Sequence, residues 1–227
     1  MENSIKFLFS GDSALVIEFG NEISVDINKK IRKMMDNIKK ENIDGIIELV
    51  PTYCSLLVNY DVLKVDYQSL VEKLKTLLND DNETIEDEEV TLIEIPTLYN
   101  DECGPDLSYV AEYNKLSKEE VIKIHTGTDY LVYMLGFMPG FTYLGGMSEK
   151  IATPRLESPR LQIYPGSVGI AGKQTGMYPS MSPGGWRIIG RTPLKLYNPD
   201  SETPVYISSG DYIRYVSISE EEYNEIM

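Results

Sequence analysis

The side chains best suited to binding an anion lie in one segment of the sequence, residues 125–198. This segment holds 12 of the 17 glycines, 7 of the 12 prolines, and the single His and single Trp of the chain. It carries seven Lys and Arg against three acidic residues, whereas the whole chain has a net charge of −15. A local basic surplus among residues that leave the backbone accessible predicts a site for an anionic group.

Four side chains in this segment could take part directly in chemistry. Arg155 and Arg160 each follow a proline, which fixes the backbone in front of a guanidinium that can bind a carboxylate or phosphate through two hydrogen bonds. The amide of Gln174 both donates and accepts, which suits the edge of a lactam or ureido group. His125 stands at the end of a helical pattern, where the helix dipole favours the charged imidazole, and it is a candidate general acid or base.

Each of these residues also has a purely structural interpretation. The two arginines could brace surface loops, Gln174 could belong to a turn, and His125 could be a capping or core residue. The same holds for the predicted walls of the site, because glycines and aromatic residues are typical of ligand pockets but also of tight turns and cores. The candidate wall residues are Gly140, Gly184, Gly185, Phe137, Phe141, Tyr143 and Trp186.

The sequence argues against several other kinds of site. One His and two Cys that are distant in sequence do not provide a metal centre of ordinary His and Cys spacing. No G-x-S-x-G motif accompanies His125. The run G-S-V-G-I-A-G-K-Q-T resembles a phosphate-binding loop, but Gly166 lies one residue too far from Gly172 and Lys173, and a glutamine stands where that loop needs Ser or Thr for magnesium. We therefore predict no metal site and no nucleotide site of that type.

Composition restricts the partners of the chain. The net charge of −15 and the pI near 4.5 argue against nucleic acid and anionic membranes. No apolar run approaches the ~20 residues that cross a bilayer, and the first residues lack the basic start and long apolar region of a signal peptide. Two cysteines are too few for a disulfide framework. A cytoplasmic protein that binds neither nucleic acid nor membrane is therefore expected.

The elements that must position the candidate residues fall into two predicted domains. Residues 1–85 are predicted to form a small α+β domain with the order ββαββα, in which Asp66 caps the second helix. Residues 79–90 form an acidic run without a basic residue, which predicts a solvated linker.

Residues 91–227 are predicted to form an all-β barrel domain. It begins with a strand and two short helices, the second of which starts at Ser117 with a capping box to Glu120. After residue 130 short apolar runs alternate with Gly and Pro, which is typical of a closed sheet. Strands are predicted at L-V-Y-M-L-G-F, L-Q-I-Y, S-V-G-I-A, W-R-I-I-G-R-T, K-L-Y (195–197), P-V-Y-I (204–207) and I-R-Y-V-S-I, ahead of an acidic tail.

Four motifs in the segment 125–198 are similar to those of a known protein family. They are G-F-M-P-G-F-T-Y-L-G-G, P-R-L-E-S-P-R, P-G-S-V-G-I-A-G-K-Q-T-G-M-Y-P and S-P-G-G-W-R-I-I-G-R-T-P. Together with G-D-S-A-L-V-I-E-F-G, G-P-D-L and H-T-G-T-D-Y, they resemble the B subunit of prokaryotic 5-oxoprolinase, a family also called KipI and allophanate hydrolase subunit 1. The resemblance covers most of the chain, and its motifs add Pro139 and Ser182 to the candidate substrate-binding residues.

The resemblance implies a fold, an activity and partners. The fold is a small α+β domain followed by a cyclophilin-like β-barrel. The activity is the opening of 5-oxo-L-proline to L-glutamate with ATP, which the complex uses, and the partners are the A and C subunits of 5-oxoprolinase, the latter a KipA-like barrel protein. The alternative implied by the KipI name is an inhibitor that binds a sporulation sensor histidine kinase and blocks its autophosphorylation. Carboxyl transfer to urea is a third interpretation, although nothing in this sequence looks like the Met-Lys-Met segment of a biotin carrier.

Overall fold

The computed structural model describes residues 5–79 and 91–227. The chain divides into two compact units, Met1–Glu89 and Val90–Met227. The division falls inside the predicted acidic linker, which lies outside the described residues apart from Asn79.

The first unit is a four-stranded antiparallel sheet with two helices. Its strands are β1 (Lys6–Phe9), β2 (Ala14–Glu18), β3 (Ile46–Pro51) and β4 (Ser55–Tyr60), which pair in the order β1-β2-β4-β3. Helix α1 (Val25–Glu41) follows β2, and helix α2 (Tyr67–Asn79) follows β4. Residues 5–79 therefore have the order ββαββα.

Both helices share one apolar core with the sheet. In α1, Ile31, Met34 and Ile38 recur at helical spacing and are buried. They belong to the same cluster as buried residues from α2, β2 and β4. The cap predicted for α2 is confirmed, because a carboxylate oxygen of Asp66 accepts the backbone N–H of Ser69 at 3.0 Å.

The strands described in the second unit form three sheets. A four-stranded sheet contains β5 (Leu92–Thr97), β6 (Asp129–Leu135), β7 (Thr142–Gly145) and β13 (Tyr212–Ser217) in the order β5-β13-β6-β7. A three-stranded sheet contains β9 (Ser167–Ala171), β10 (Gln174–Met177) and β12 (Arg187–Arg191) in the order β10-β9-β12. Strands β8 (Arg160–Ile163) and β11 (Ser182–Gly184) form a two-stranded sheet that carries several of the candidate site residues.

The two larger sheets of this unit approach each other at both edges. Leu98, just beyond β5, exchanges backbone hydrogen bonds of 2.8 and 3.0 Å with Arg191 of β12. On the other side β7 lies beside β10, where a Cβ built on Gly176 would be 3.0 Å from the carbonyl oxygen of Thr142. Apolar side chains from both sheets fill the space between them. A closed, cyclophilin-like barrel stays a prediction, because the strands are not joined into a single sheet.

The second unit contains helices as well as strands. Helices α3 (Leu107–Asn114) and α4 (Lys118–Thr126) lie between β5 and β6, and helix α5 (Glu220–Ile226) follows β13. The capping box predicted at Ser117 and Glu120 is confirmed. The acidic tail is helical because Ser219 and Glu222 form a second capping box at its start.

Two of the predicted strands are loops instead. Residues 195–197 and 204–207 are not in strands, although they supply Leu196 and Ile207 to the core. Prolines before and within these runs remove the backbone N–H groups that a sheet requires. Conversely, the Gly-containing runs T-Y-L-G, Q-T-G-M and S-P-G form β7, β10 and β11.

Candidate functional site

The turn between β6 and β7 holds Phe137 in an exposed and strained conformation. The backbone N–H of Met138 donates to the carbonyl of Gly136 at 2.7 Å. Phe137, between them, has a φ of +65°, which corresponds to the rare form of the γ-turn. A residue with a side chain pays roughly 1–2 kcal/mol for this region of φ. Phe137 nevertheless leaves 67% of its surface exposed.

The second half of this turn has the sequence that its geometry requires. The N–H of Phe141 donates to the carbonyl of Met138 at 3.1 Å across Pro139 and Gly140. Gly140 has a φ of +80°, and proline followed by glycine is the preferred pair for a type II turn. A Cβ on Gly140 would also lie 3.2 Å from the carbonyl oxygen of Leu196. Gly140 therefore shapes the turn, and Pro139 is exposed at its surface.

Phe141 lies at the centre of an aromatic cluster below this turn. Its ring contacts four others edge to face, with centroid distances of 5.2–5.5 Å, namely Phe137, Tyr143, Tyr178 and Trp186. The structure thus brings together the four aromatic residues predicted from the sequence. Tyr178 is an addition, and burial raises the pKa of its hydroxyl to about 12. Its place in the motif P-G-S-V-G-I-A-G-K-Q-T-G-M-Y-P is the sequence signal that could have identified it.

Arg155 presents an uncommitted guanidinium beside this aromatic cluster. Its side chain is exposed, and the guanidinium carbon lies 6.0 Å from the ring centroid of Trp186. Within residues 5–79 and 91–227 this guanidinium has no hydrogen bond and no ion pair. A planar cation held next to an aromatic face with its donors free is suited to binding a carboxylate or a phosphate.

Arg160, in contrast, is already paired. Its two terminal nitrogens donate to the two carboxylate oxygens of Asp106 at 2.8 and 2.9 Å. One of them also lies 3.4 Å from the carbonyl oxygen of Trp186. The bidentate pair joins β8 to the start of α3. The predicted role of Arg160 as an anion-binding residue is therefore not favoured, because its fork of donors faces a carboxylate of the protein itself.

Asp106 is a shared hydrogen-bond acceptor for strands β8 and β12. Its carboxylate is buried and also accepts the backbone N–H of Ile188 at 2.7 Å, while Arg187 lies 3.9 Å away. Asp106 occupies the N-cap position of α3 but makes no capping bond, since its oxygens serve β8 and β12 instead. Sequence reasoning missed this role, because G-P-D-L indicates only the start of a helix.

His125 lies in the interior of the second unit and not at its surface. The residue is fully buried within α4, with its ring 4.4 Å from that of Tyr215. Burial lowers the pKa of His125 from 6.5 to about 3. The expectation that the helix dipole would favour the charged form is wrong, because removal from water outweighs the dipole.

The hydrogen bonds of His125 fix its tautomer. Its Nε2 lies 2.8 Å from the hydroxyl of Thr175, which itself lies 3.1 Å from the carbonyl oxygen of Gly169. Since that carbonyl only accepts, the Thr175 proton points to it, and Nε2 must donate. Nδ1 then accepts from the hydroxyl of Tyr99 at 2.8 Å. Both ring nitrogens are occupied, so His125 is not arranged as a general acid or base.

The remaining candidates lie on β10 and on the β8–β11 sheet. Gln174 is half-buried at the start of β10, directly before Thr175. The hydroxyl of Ser182 lies 3.1 Å from the carbonyl of Pro183, Gly184 is the last residue of β11, and Gly185 connects β11 to Trp186. Among the described residues, no group of three or more His, Cys, Asp or Glu could hold a metal ion. No helix in the described ranges has the length and apolar character needed to cross a membrane.

Comparison with known proteins identifies the family of this chain. The family described as carboxyltransferase domain, subdomain C and D, matches residues 5–207. The chain belongs to this family. The part that matches this carboxyltransferase family contains every candidate residue located above, and it ends before β13 and α5.

Individual relatives of the carboxyltransferase family cover nearly the whole chain. The B subunit of 5-oxoprolinase from Bacillus subtilis (strain 168) is 46% identical over 94% of this chain and 93% of that protein. The solved structure of a conserved uncharacterized protein from Pyrococcus horikoshii is 50% identical, with a TM-score of 0.58 over 96% of this chain and 100% of that one. The solved structure of TTHA0988 is 32% identical, with a TM-score of 0.80 over 91% of this chain but only 39% of that one. In TTHA0988 the matched region is therefore part of a longer polypeptide.

Two adjacent glycines of the S-P-G-G-W motif provide a direct test of the packing around Tyr178. A Cβ on Gly184 would lie 2.5 Å from the Tyr178 hydroxyl and 2.6 Å from Ile163, whereas the nearest atoms to a Cβ on Gly185 are 3.8 Å away. We expect Gly184→Ala to destabilise the protein by about 1–3 kcal/mol and Gly185→Ala to change stability by less than about 0.5 kcal/mol. Urea unfolding followed by Trp186 fluorescence measures both, and equal effects would contradict the described packing.

Proposed function

We propose that this chain is the B subunit of an ATP-dependent 5-oxoprolinase and works with the A and C subunits to hydrolyse 5-oxo-L-proline to L-glutamate. The observation that carries the proposal is the 46% identity to the B subunit of the B. subtilis 5-oxoprolinase over 94% of this chain and 93% of that protein. The geometry supports it, because Arg155, which makes no hydrogen bond or ion pair among the described residues, is suited to binding the carboxylate of the substrate or a phosphate.

The chemistry of the substrate explains why ATP is needed. The lactam of 5-oxo-L-proline is an unstrained amide, so water opens it only after the amide is activated. In the proposed reaction the complex uses ATP to phosphorylate the amide oxygen, which releases ADP. Water then adds to the activated carbon, the carbon–nitrogen bond breaks to give an acyl phosphate and a free amine, and a second water releases phosphate and L-glutamate. Negative charge is present on the substrate carboxylate and on the phosphate, and a cation held in a fixed position stabilises it.

Residues of this chain have separate parts in the proposal. Arg155 binds the carboxylate or the phosphate, and the amide of Gln174 binds the lactam edge. Arg160 serves the fold, because Asp106 already occupies both of its terminal nitrogens. His125 has no direct role, because it is neutral and inaccessible. ATP binding is assigned to the complex and not to any residue of this chain.

Reconstitution tests the proposal. We expect no glutamate from this chain alone or from the other two subunits without it, and ATP-dependent glutamate formation when all three are mixed with 5-oxo-L-proline. In that mixture Arg155→Ala should lower kcat/KM roughly tenfold to hundredfold, as expected for a lost hydrogen bond to a charged group. Arg155→Lys should recover only part of the loss, because an ammonium cannot form the bidentate contact.

The control is Lys150→Ala, which removes another exposed cation from the same basic segment. It should leave kcat/KM unchanged. Full activity of the other two subunits without this chain would contradict the proposed function. Unchanged kcat/KM in Arg155→Ala would leave the function standing but remove Arg155 from the site.

A further inference from the structure

The conformation of Phe137 is not explained by the turn in which it lies. Glycine adopts a φ of +65° without strain, and the same turn uses glycine at its other positive-φ position, Gly140. A phenylalanine at position 137 is therefore the less favourable choice for the backbone. Whatever retains it must depend on its side chain.

Core packing does not explain why position 137 holds a phenylalanine either. The ring of Phe137 touches the cluster only through an edge-to-face contact with Phe141, at a centroid distance of 5.5 Å. With 67% of its surface exposed, Phe137 gains little from burial within this chain. Strained backbone conformations cluster at ligand-binding and other functional sites.

The exposure of this ring favours a macromolecular partner over a small ligand. A small-molecule site buries most of its ligand in a concavity lined by the protein. A ring that is itself two-thirds exposed is instead placed to enter a pocket on another surface, as aromatic anchors at the centres of protein interfaces do.

The match to TTHA0988 indicates that the neighbour is a polypeptide. There the homologous region accounts for 39% of the solved chain, so the same fold is joined covalently to a further length of protein. In the B. subtilis relative the match covers 93% of the protein, so an equivalent of that further length would be a separate polypeptide. We propose that Phe137 is the anchor of a protein–protein interface and that its ring fills an apolar pocket of a partner polypeptide. The inference rests on the proposed function, from which the partner for the test, the KipA-like C subunit, is taken.

Association of the full-length chain with the purified KipA-like C subunit tests this inference by isothermal titration calorimetry. We expect Phe137→Gly to raise the Kd at least tenfold, because the anchoring ring is lost. The same variant should unfold in urea at the wild-type midpoint or above it, because glycine relieves the strained φ. Phe137→Leu, which keeps an apolar side chain, should have an intermediate Kd. Tyr113→Ala, which removes another exposed aromatic ring from this unit, should bind within about twofold of wild type.

The possible results of this experiment show whether the interface alone or the proposed function as well is wrong. If the wild-type chain does not bind the KipA-like protein, the proposed function fails and the interface fails with it. If wild type binds and Phe137→Gly has the same Kd, only the interface is overturned. An unchanged Kd with a raised KM for 5-oxo-L-proline would assign the ring to the substrate and overturn it as well. A raised Kd together with a lower unfolding midpoint would show that Phe137 supports the fold, which also overturns it.

Discussion

Replacing Arg160 by alanine is expected to destabilise the second unit by about 3 kcal/mol, whereas Arg155→Ala should change its stability by less than about 0.5 kcal/mol. The two arginines stand in the same P-R-L-E-S-P-R motif and have equivalent sequence surroundings. Their environments differ, because Arg160 faces the buried carboxylate of Asp106 and Arg155 faces solvent next to Trp186. The expected difference therefore follows from the structure and not from the residue type.

The size of the Arg160 effect follows from what the truncation leaves behind. Asp106 keeps its bond from the Ile188 N–H, and Arg187 remains 3.9 Å away, but two charge-assisted hydrogen bonds are lost. A carboxylate that is only 7% exposed cannot recover them from water. Removing one member of a buried pair is strongly destabilising for this reason, even where the intact pair contributes little net stability.

A double-mutant cycle distinguishes this explanation from simple loss of packing. Asp106→Asn keeps an acceptor for the Ile188 N–H but removes the charge. In the Asp106→Asn background, Arg160→Met should be clearly less destabilising than it is in wild type, because no buried charge is left unpaired. Urea unfolding followed by fluorescence reports on this unit specifically, since Trp186 is the only tryptophan of the chain. Additive effects of the two substitutions would refute the pairing as the cause.

The parts of the fold that depend on short-range patterns could be predicted from the sequence. The apolar spacing of α1, the Asp66 cap of α2 and the capping box at Ser117 each involve residues within a few positions of one another. Strands β10 and β11 could not be predicted in this way, because glycine has no preference for β-strands. They are strands only because β9 and β8 lie alongside to accept and donate their hydrogen bonds.

The candidate site also has features that could be predicted from the sequence and features that could not. That Phe137, Phe141, Tyr143 and Trp186 come together was predictable, because they occur in motifs dense in Gly and Pro. The contacts that decide the roles of the charged residues join distant positions. Asp106 lies 54 residues from Arg160, and Thr175 lies 50 residues from His125. No local pattern in the sequence distinguishes a paired arginine from a free one, or a buried histidine from a catalytic one.

Lowering the pH is expected to destabilise the protein through His125 specifically. In the unfolded chain the imidazole takes up a proton near pH 6.5, whereas in the folded protein burial lowers its pKa to about 3. The unfolded state therefore binds the proton first as the pH falls. The contribution of His125 is complete above about pH 6.5 and is lost progressively towards about pH 3, where the folded protein would also become protonated.

The linkage relation sets the size of this effect. Between about pH 7.5 and about pH 5, a shift from 6.5 to about 3 removes about 2 kcal/mol from the free energy of unfolding. His125→Gln cannot titrate, yet its amide can still donate to Thr175 and accept from Tyr99, so its stability should fall by about 2 kcal/mol less over the same interval. Urea unfolding of both proteins at the two pH values, followed by Trp186 fluorescence, gives the comparison. Carboxylates titrate equally in both proteins and cancel, so equal pH dependence would mean that His125 is accessible to protons in the folded state.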